Sequence, residues 1–234
     1  MKLHSFLNHR LGQCFGTMAL CLTLSPLMNN PLHAQTTANS ESGRRFPLLQ
    51  PEQLNEAQKK LADSIRSGPR ANVAGSAANQ SVIGSPFNVF LRSPEVGEHL
   101  QQVGSYIRFK SSLGTLLNEF AILITARHWG AQYEWHAHHR LALQAGLNPQ
   151  IAQDLAQGQR PKGMSSDEEI IYNFSHELHT QHQVSDASFK AMQDRFGDQG
   201  VMDLIAVNGY YTLVAMVLNV DRTPVPGGNP LSAR

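Results

Sequence analysis

From Leu204 to Val220 the chain carries no charged side chain. A helix that is apolar around most of its surface has to be covered by other protein, so a segment of about Gly200 to Asn219 must lie in a core or at a subunit contact. Pro224, Pro226, Gly227, Gly228 and Pro230 then make the C-terminal end irregular. The rest of the sequence reads in the same periodicity. Leu54, Ala57, Leu61 and Ile65 mark an amphipathic helix from Pro51 to Ile65. Arg66 to Pro86 is rich in Gly, Ser, Ala and Asn without an apolar stripe, a long loop of the kind that often carries function. Ser93-Pro94 opens a helix through about Phe109. Another runs from about Ser112 to His128 and stops at Trp129-Gly130; the next runs from Ala131 to Ala145 and stops at Gly146. Asn148-Pro149 restarts a short helix. Ser165 to Glu169 forms a capping box for a helix reaching His182, and Ser185-Asp186 caps another. Nothing alternates like a strand for long, and the expected class is all-α.

Of the 234 residues 41% are hydrophobic and 16% charged, with a net charge of +1. That balance excludes a disordered chain and lacks the basic excess of a nucleic-acid binder; it fits a soluble domain with a sizeable core. Lys2 and Arg10 precede a stretch without Asp, Glu, Lys or Arg up to Glu41, within which Phe15 to Met28 is mostly apolar and Leu32-His33-Ala34 precedes Gln35. A basic start, a short apolar run and a small residue at the cut describe a signal peptide over residues 1–34, too short a run for a good membrane span. A disordered N-terminal extension is the alternative. The expected division is a leader over 1–34, a flexible linker over 35–50, a domain over 51–228 and a tail over 229–234. The expected location is periplasmic or secreted, with no membrane partner after cleavage. The two cysteines, Cys14 and Cys21, both fall in the leader, so the mature chain has no disulfide, no Cys-ligated zinc and no thiol chemistry.

The densest cluster of reactive side chains lies between Asn118 and His139. At 100° per residue Glu134, His138, Leu141 and Ala145 share one helical stripe, with Ala131 close beside it. In the preceding helix Glu119 sits near Leu116, Leu123 and Ala126. A short Trp129-Gly130 connection makes the two helices antiparallel neighbours, so Glu119 and His138 can face each other. A carboxylate and an imidazole held together in apolar surroundings suit proton transfer near neutral pH. A buried ion pair that merely joins two helices is the alternative. His136 and His139 point away from the Glu134–His138 face, which leaves two ligands where zinc wants three or four; no metal and no cofactor is expected. His176 and His179 miss the His-Glu-x-x-His spacing and are expected to face solvent. Arg70 and Arg127 carry guanidinium groups that match a substrate carboxylate, although Arg127 suits a buried ion pair equally. Trp129, Trp135, Tyr210 and Tyr211 suit either a pocket wall or the core.

Glu119, Gly130, Tyr133-Glu134-Trp135, His138 and Ala145-Gly146-Leu147 resemble the carboxymuconolactone decarboxylase and alkylhydroperoxidase-D-like family. Gly84-Ser85-Pro86-Phe87, Ser93-Pro94-Glu95 and Tyr210 to Asn219 extend the resemblance over residues 50 to 228. It implies an all-helical fold in a trimeric or hexameric ring, with the site near a subunit boundary. Its peroxidase branch uses a Glu, a Cys-x-x-Cys pair and a His; Glu119 and His138 match, but Ala131 and Glu134 stand at the thiol positions, which removes the nucleophile. Its decarboxylase branch shows Tyr-Glu-Trp, as here. In that likeness His138 protonates carbon, Glu119 sets its tautomer, and Glu134 aids release of CO2 by repulsion or relays protons. Arg70, Arg127, Tyr133, Trp135 and Tyr210 bind the substrate. Export implies a small cyclic or aromatic compound rather than a cytoplasmic lactone. The expectation is thus a cofactor-free lyase or isomerase, likewise a homotrimer or homohexamer; the alternative is a non-catalytic periplasmic oligomer that binds a small molecule.

Overall fold

Leu117 to Ala126 are consecutive buried residues, and they make α4 (Gly114–Trp129) the axis of the molecule. Phe120, Ala121, Ile122 and Leu123 are each wholly inaccessible, so this helix is apolar on all sides and must be surrounded. In the computed structural model, which describes residues 43–73 and 76–232, all regular structure of the described residues is helical, without strands. Before α4 come α1 (Glu56–Ser67), α2 (Phe87–Phe90) and α3 (Pro94–Lys110). After it come α5 (Gln132–Gln144), α6 (Pro149–Ala156), α7 (Ser166–Gln181) and α8 (Asp186–Asp221), the last broken by a kink at Gly197. α5, α7 and α8 pack around α4, and α3 packs on α8. The expected all-α class therefore holds. The leader over 1–34 lies outside the described residues.

Local signals place these boundaries. Asn55 and Ser165 each close a reciprocal capping box, with Gln58 and Glu168 respectively, satisfying backbone donors that have no partner within the helix. Gly130 adopts φ 59°, and its N–H and that of Ala131 close onto Arg127 and Ala126 carbonyls at 3.2 and 2.9 Å. This is the left-handed cap that reverses the chain without a Cβ clash, and it sets α5 back along α4.

One expectation is met in part and two change. The last helix is only half covered: Leu204, Val207, Val214 and Leu218 are buried, while Met202, Ile205, Met216 and Val220 are exposed. The described part of the expected linker is a fixed strap. Asp221, fully buried at the end of α8, accepts from Arg44, Ser85 and Thr223 and from the Phe46 N–H, and Asn88 bonds Phe46, Pro47 and Leu49. The tail is docked too, since Leu231 is buried and exchanges hydrogen bonds with the Gln132 side chain. Asp221, further along the chain, anchors the strap, and Gln132, earlier in the chain, anchors the tail.

His179 also departs from the local pattern. It was expected at the surface, yet it is 9% exposed. On α7, Ile171, Ser175 and His179 share a face at four-residue spacing, and the polar pair meets partners inside: His179 Nε2 lies 3.0 Å from Thr125 Oγ1 and 3.0 Å from Asn208 Oδ1, while Asn208 Nδ2 donates to Ser175. The ring stacks on His128 at 4.8 Å. Burial, reinforced by His128, pushes its pKa down to about 4. The unfolded chain takes up this proton below about pH 6.5, so between those values it binds more protons than the fold. Stability from His179 is complete above about pH 6.5 and falls as pH drops toward 4. Going from pH 7 to 5, the wild type is expected to lose about 1–2 kcal/mol more than His179→Leu in urea unfolding; equal losses would contradict a buried neutral imidazole.

Candidate active site

α4 and α5 run antiparallel, and the reversal at Gly130 brings Glu119 and His138 together as the spacing predicts. His138 Nδ1 lies 2.7 Å from Glu119 Oε2, with both residues buried. A carboxylate only accepts, so Nδ1 carries the proton donated to Glu119. Nε2 is left without a hydrogen-bond partner among the described residues, and His138 stands in the wall of a cavity of about 550 Å³. The second Glu119 oxygen lies 3.7 Å from Arg108 Nε, reached from α3. Tyr211 meets the His138 ring edge-on at 5.0 Å, and Tyr210 meets Tyr211 at 5.3 Å.

The cavity opens where the chain between α1 and α2 faces α5 and α8. Arg70, Arg108, Tyr133, Glu134, Tyr210 and Tyr211 are among its walls. Arg70 sits on a 3-10 turn, Pro69–Asn72, and is 4% exposed. Its Nη1 donates to the Gln101 carbonyl at 3.2 Å, and its guanidinium lies 5.3 Å from the Phe87 ring centroid. Burial pulls its pKa down, opposed by the two tyrosines. Burial likewise pushes the Tyr210 hydroxyl up to about 12 and the Tyr211 hydroxyl upward, so both are neutral donors.

Glu134 is 1% exposed, and neither carboxyl oxygen has a hydrogen-bond partner. Desolvation alone pushes its pKa well above the carboxylate range, because nothing nearby stabilises the charged form. Of the two roles expected of Glu134, repulsion needs an ionised group, which burial disfavours, and relay of a proton suits a buried acid.

The structure brings together Glu119, His138, Glu134, Arg70, Tyr133 and Tyr210. It separates two others. Arg127 lies on another side of α4, in a smaller groove with His128, Tyr172, His176 and His179, and donates to the Ser232 carbonyl. Trp135 belongs to the core, 2% exposed and stacked on His139 at 5.9 Å. His136, expected to point away, reaches the cavity mouth, because the opposite wall comes from the 70–87 segment rather than from α4. Arg108 was missed. In sequence it is one of two basic residues in the last turn of α3, a common complement to the helix dipole, and only the packing of α3 shows its carboxylate. Among the described residues no group of three His, Cys, Asp or Glu side chains is placed to hold a metal ion.

Close helix approach shapes this cavity. A Cβ added at Gly104 falls 2.2 Å from Tyr210 Oη and 2.7 Å from Arg70 Nη2. Gly104→Ala is therefore expected to displace both groups and destabilise the fold by about 1–3 kcal/mol, read as a lower urea midpoint with an unchanged slope. A variant as stable as wild type would show that α3 does not pack this tightly.

No model of a known protein family matches the sequence, and a search of the curated proteins returns no significant match.

Proposed function

We propose that this chain is an exported, cofactor-free acid–base enzyme, a cysteine-less relative of the carboxymuconolactone decarboxylase and alkylhydroperoxidase-D-like family, acting on a small organic acid or cyclic compound. One observation carries the reading: a buried Glu119–His138 pair leaves Nε2 unpartnered in the wall of a cavity that also holds guanidinium groups. Glu119 orients the imidazole and stabilises its charged form, as a buried carboxylate does for a general base. Nε2 takes a proton from a carbon next to a carbonyl, and the C–H electron pair moves onto the carbonyl oxygen as an enolate. The imidazolium returns the proton at another carbon, which completes an isomerisation without redox change. In a decarboxylation the C–C electron pair forms the enolate as CO2 leaves; protonated His138 then delivers its Nε2 proton to carbon, and solvent restores it. Tyr210 and Tyr211, both neutral, offer hydrogen bonds to the enolate oxygen.

The absence of any cysteine after Cys21 speaks against a family-type peroxidase, which needs two thiols. The leader-like residues 1–34 support export. Val96, Val103, Tyr106 and Phe109 on α3 and Met202, Ile205, Met216 and Val220 on α8 are exposed. Apolar surface on two packed helices supports self-association, and the resemblance supplies the homotrimer or homohexamer as its form.

Incubation in D2O with unsaturated lactone acids and 3-oxo acids tests the reading. The expected result is carbon-bound deuterium or released CO2 with wild type and neither with His138→Ala. Exchange that is equal in the two proteins would overturn it.

A further inference from the structure

The charges around the cavity do not balance, and the imbalance specifies a ligand. Arg70 is buried, with one N–H on the Gln101 carbonyl and an aromatic ring beneath it, and no carboxylate pairs with it among the described residues. A buried guanidinium without a counterion is costly, and its planar fork has donors to spare. Arg108 is different, because Glu119 lies beside it and also binds His138. Arg140 and His136 stand at the exposed mouth, where water screens them. Glu134 offers Arg70 no counterion: both its oxygens are buried without a hydrogen-bond partner among the described residues, so neither pairs with the guanidinium, and burial pushes its pKa up. One interior cation is left without an anion.

Building on the acid–base reading above, we propose that the ligand of this cavity is a monocarboxylate, seated by its single anionic group on Arg70, with a neutral body lying along Tyr210 and Tyr211 toward His138. Phe87, Val214 and Leu218 line the same space, and they suit a ring or short unsaturated chain. A second carboxylate would enter an interior whose other guanidinium already has its counterion and would meet the charge of Glu119. About 550 Å³ is within the range of small-molecule sites.

Calorimetric titration of the full chain with benzoate, benzamide and terephthalate tests this. Benzoate is expected to bind at least about tenfold more tightly than benzamide, which lacks the charge, and at least about tenfold more tightly than terephthalate, which carries two. Arg70→Met is expected to lose at least about tenfold in benzoate affinity, and Arg70→Lys to retain part of it. Glu134→Gln is expected to bind benzoate within about threefold of wild type; a gain of tenfold would mean that Glu134 is ionised and would overturn the charge count. Terephthalate binding as tightly as benzoate, benzoate binding no better than benzamide, or no benzoate binding at all would overturn the proposal without any variant. His138→Ala is expected to bind benzoate still. Retained binding without turnover by wild type therefore overturns the acid–base reading alone, and turnover without carboxylate preference overturns this proposal alone.

Discussion

His138→Ala is expected to lower turnover of a cognate acid by about 10²–10⁴-fold, the span that general acid–base groups supply, while its thermal midpoint stays within a few degrees of wild type. The two outcomes separate for structural reasons. Nε2 is the unpartnered nitrogen at the cavity wall among the described residues, so its loss removes a group held there by a carboxylate for proton transfer. The fold loses less, because the truncated side chain borders a cavity already present and Glu119 keeps Arg108 at 3.7 Å. Circular dichroism and a deuterium-exchange assay on the same sample check both halves. A variant that mainly unfolds would make the Glu119–His138 pair a structural tie, and one that folds with full turnover would move the chemistry elsewhere.

Asp221→Ala is expected to be strongly destabilising, by about 3–5 kcal/mol. Asp221 is wholly buried. Its Oδ2 accepts from Arg44 Nη1, from Ser85 Oγ at 2.7 Å and from Thr223 Oγ1 at 2.7 Å; its Oδ1 accepts from the Phe46 N–H at 3.1 Å. Alanine removes the acceptor shared by those donors and takes the Asp221 carboxylate from the largely buried Arg44 guanidinium, and loss of an acceptor for buried donors is what makes breaking a buried pair costly. Ser85 and the adjacent Pro86 belong to the cavity wall, so ligand affinity is expected to fall with stability. Urea unfolding reads the change as a shift in midpoint. A loss below about 1 kcal/mol, the range of exposed ion pairs, would show that the strap contributes little.

Much of the helical plan is legible because caps and turns are local. The Ser165–Glu168 box, the Asn148 cap before Pro149 and the reversal at Gly130 each act over three or four residues, and the sequence spells them out. The Glu119–His138 pair follows from two helical faces joined by one short turn. The remainder depends on distant chain. Arg108 acquires its role only when α3 crosses α4, and Arg70 only when the segment after α1 folds back over Phe87. His179 looks solvent-facing on a helical wheel, yet Asn208 and Thr125 supply the partners that allow burial. Arg127 lies at the end of α4, where a turn of about 100° per residue sends it toward Gly158 instead of the cavity. Glu134 shares the predicted stripe, but that neither of its oxygens finds a hydrogen-bond partner among the described residues is a property of the assembled core.

The most direct test of an acid–base site at His138 is a crystal structure of the full chain with an unreactive saturated analogue of an acid that exchanges deuterium. The expected result places the analogue's carboxylate on Arg70 and the carbon corresponding to the exchanging position about 3–3.5 Å from His138 Nε2. An analogue bound with that carbon remote from Nε2, or lodged in the groove beside His176 and His179, would contradict the account.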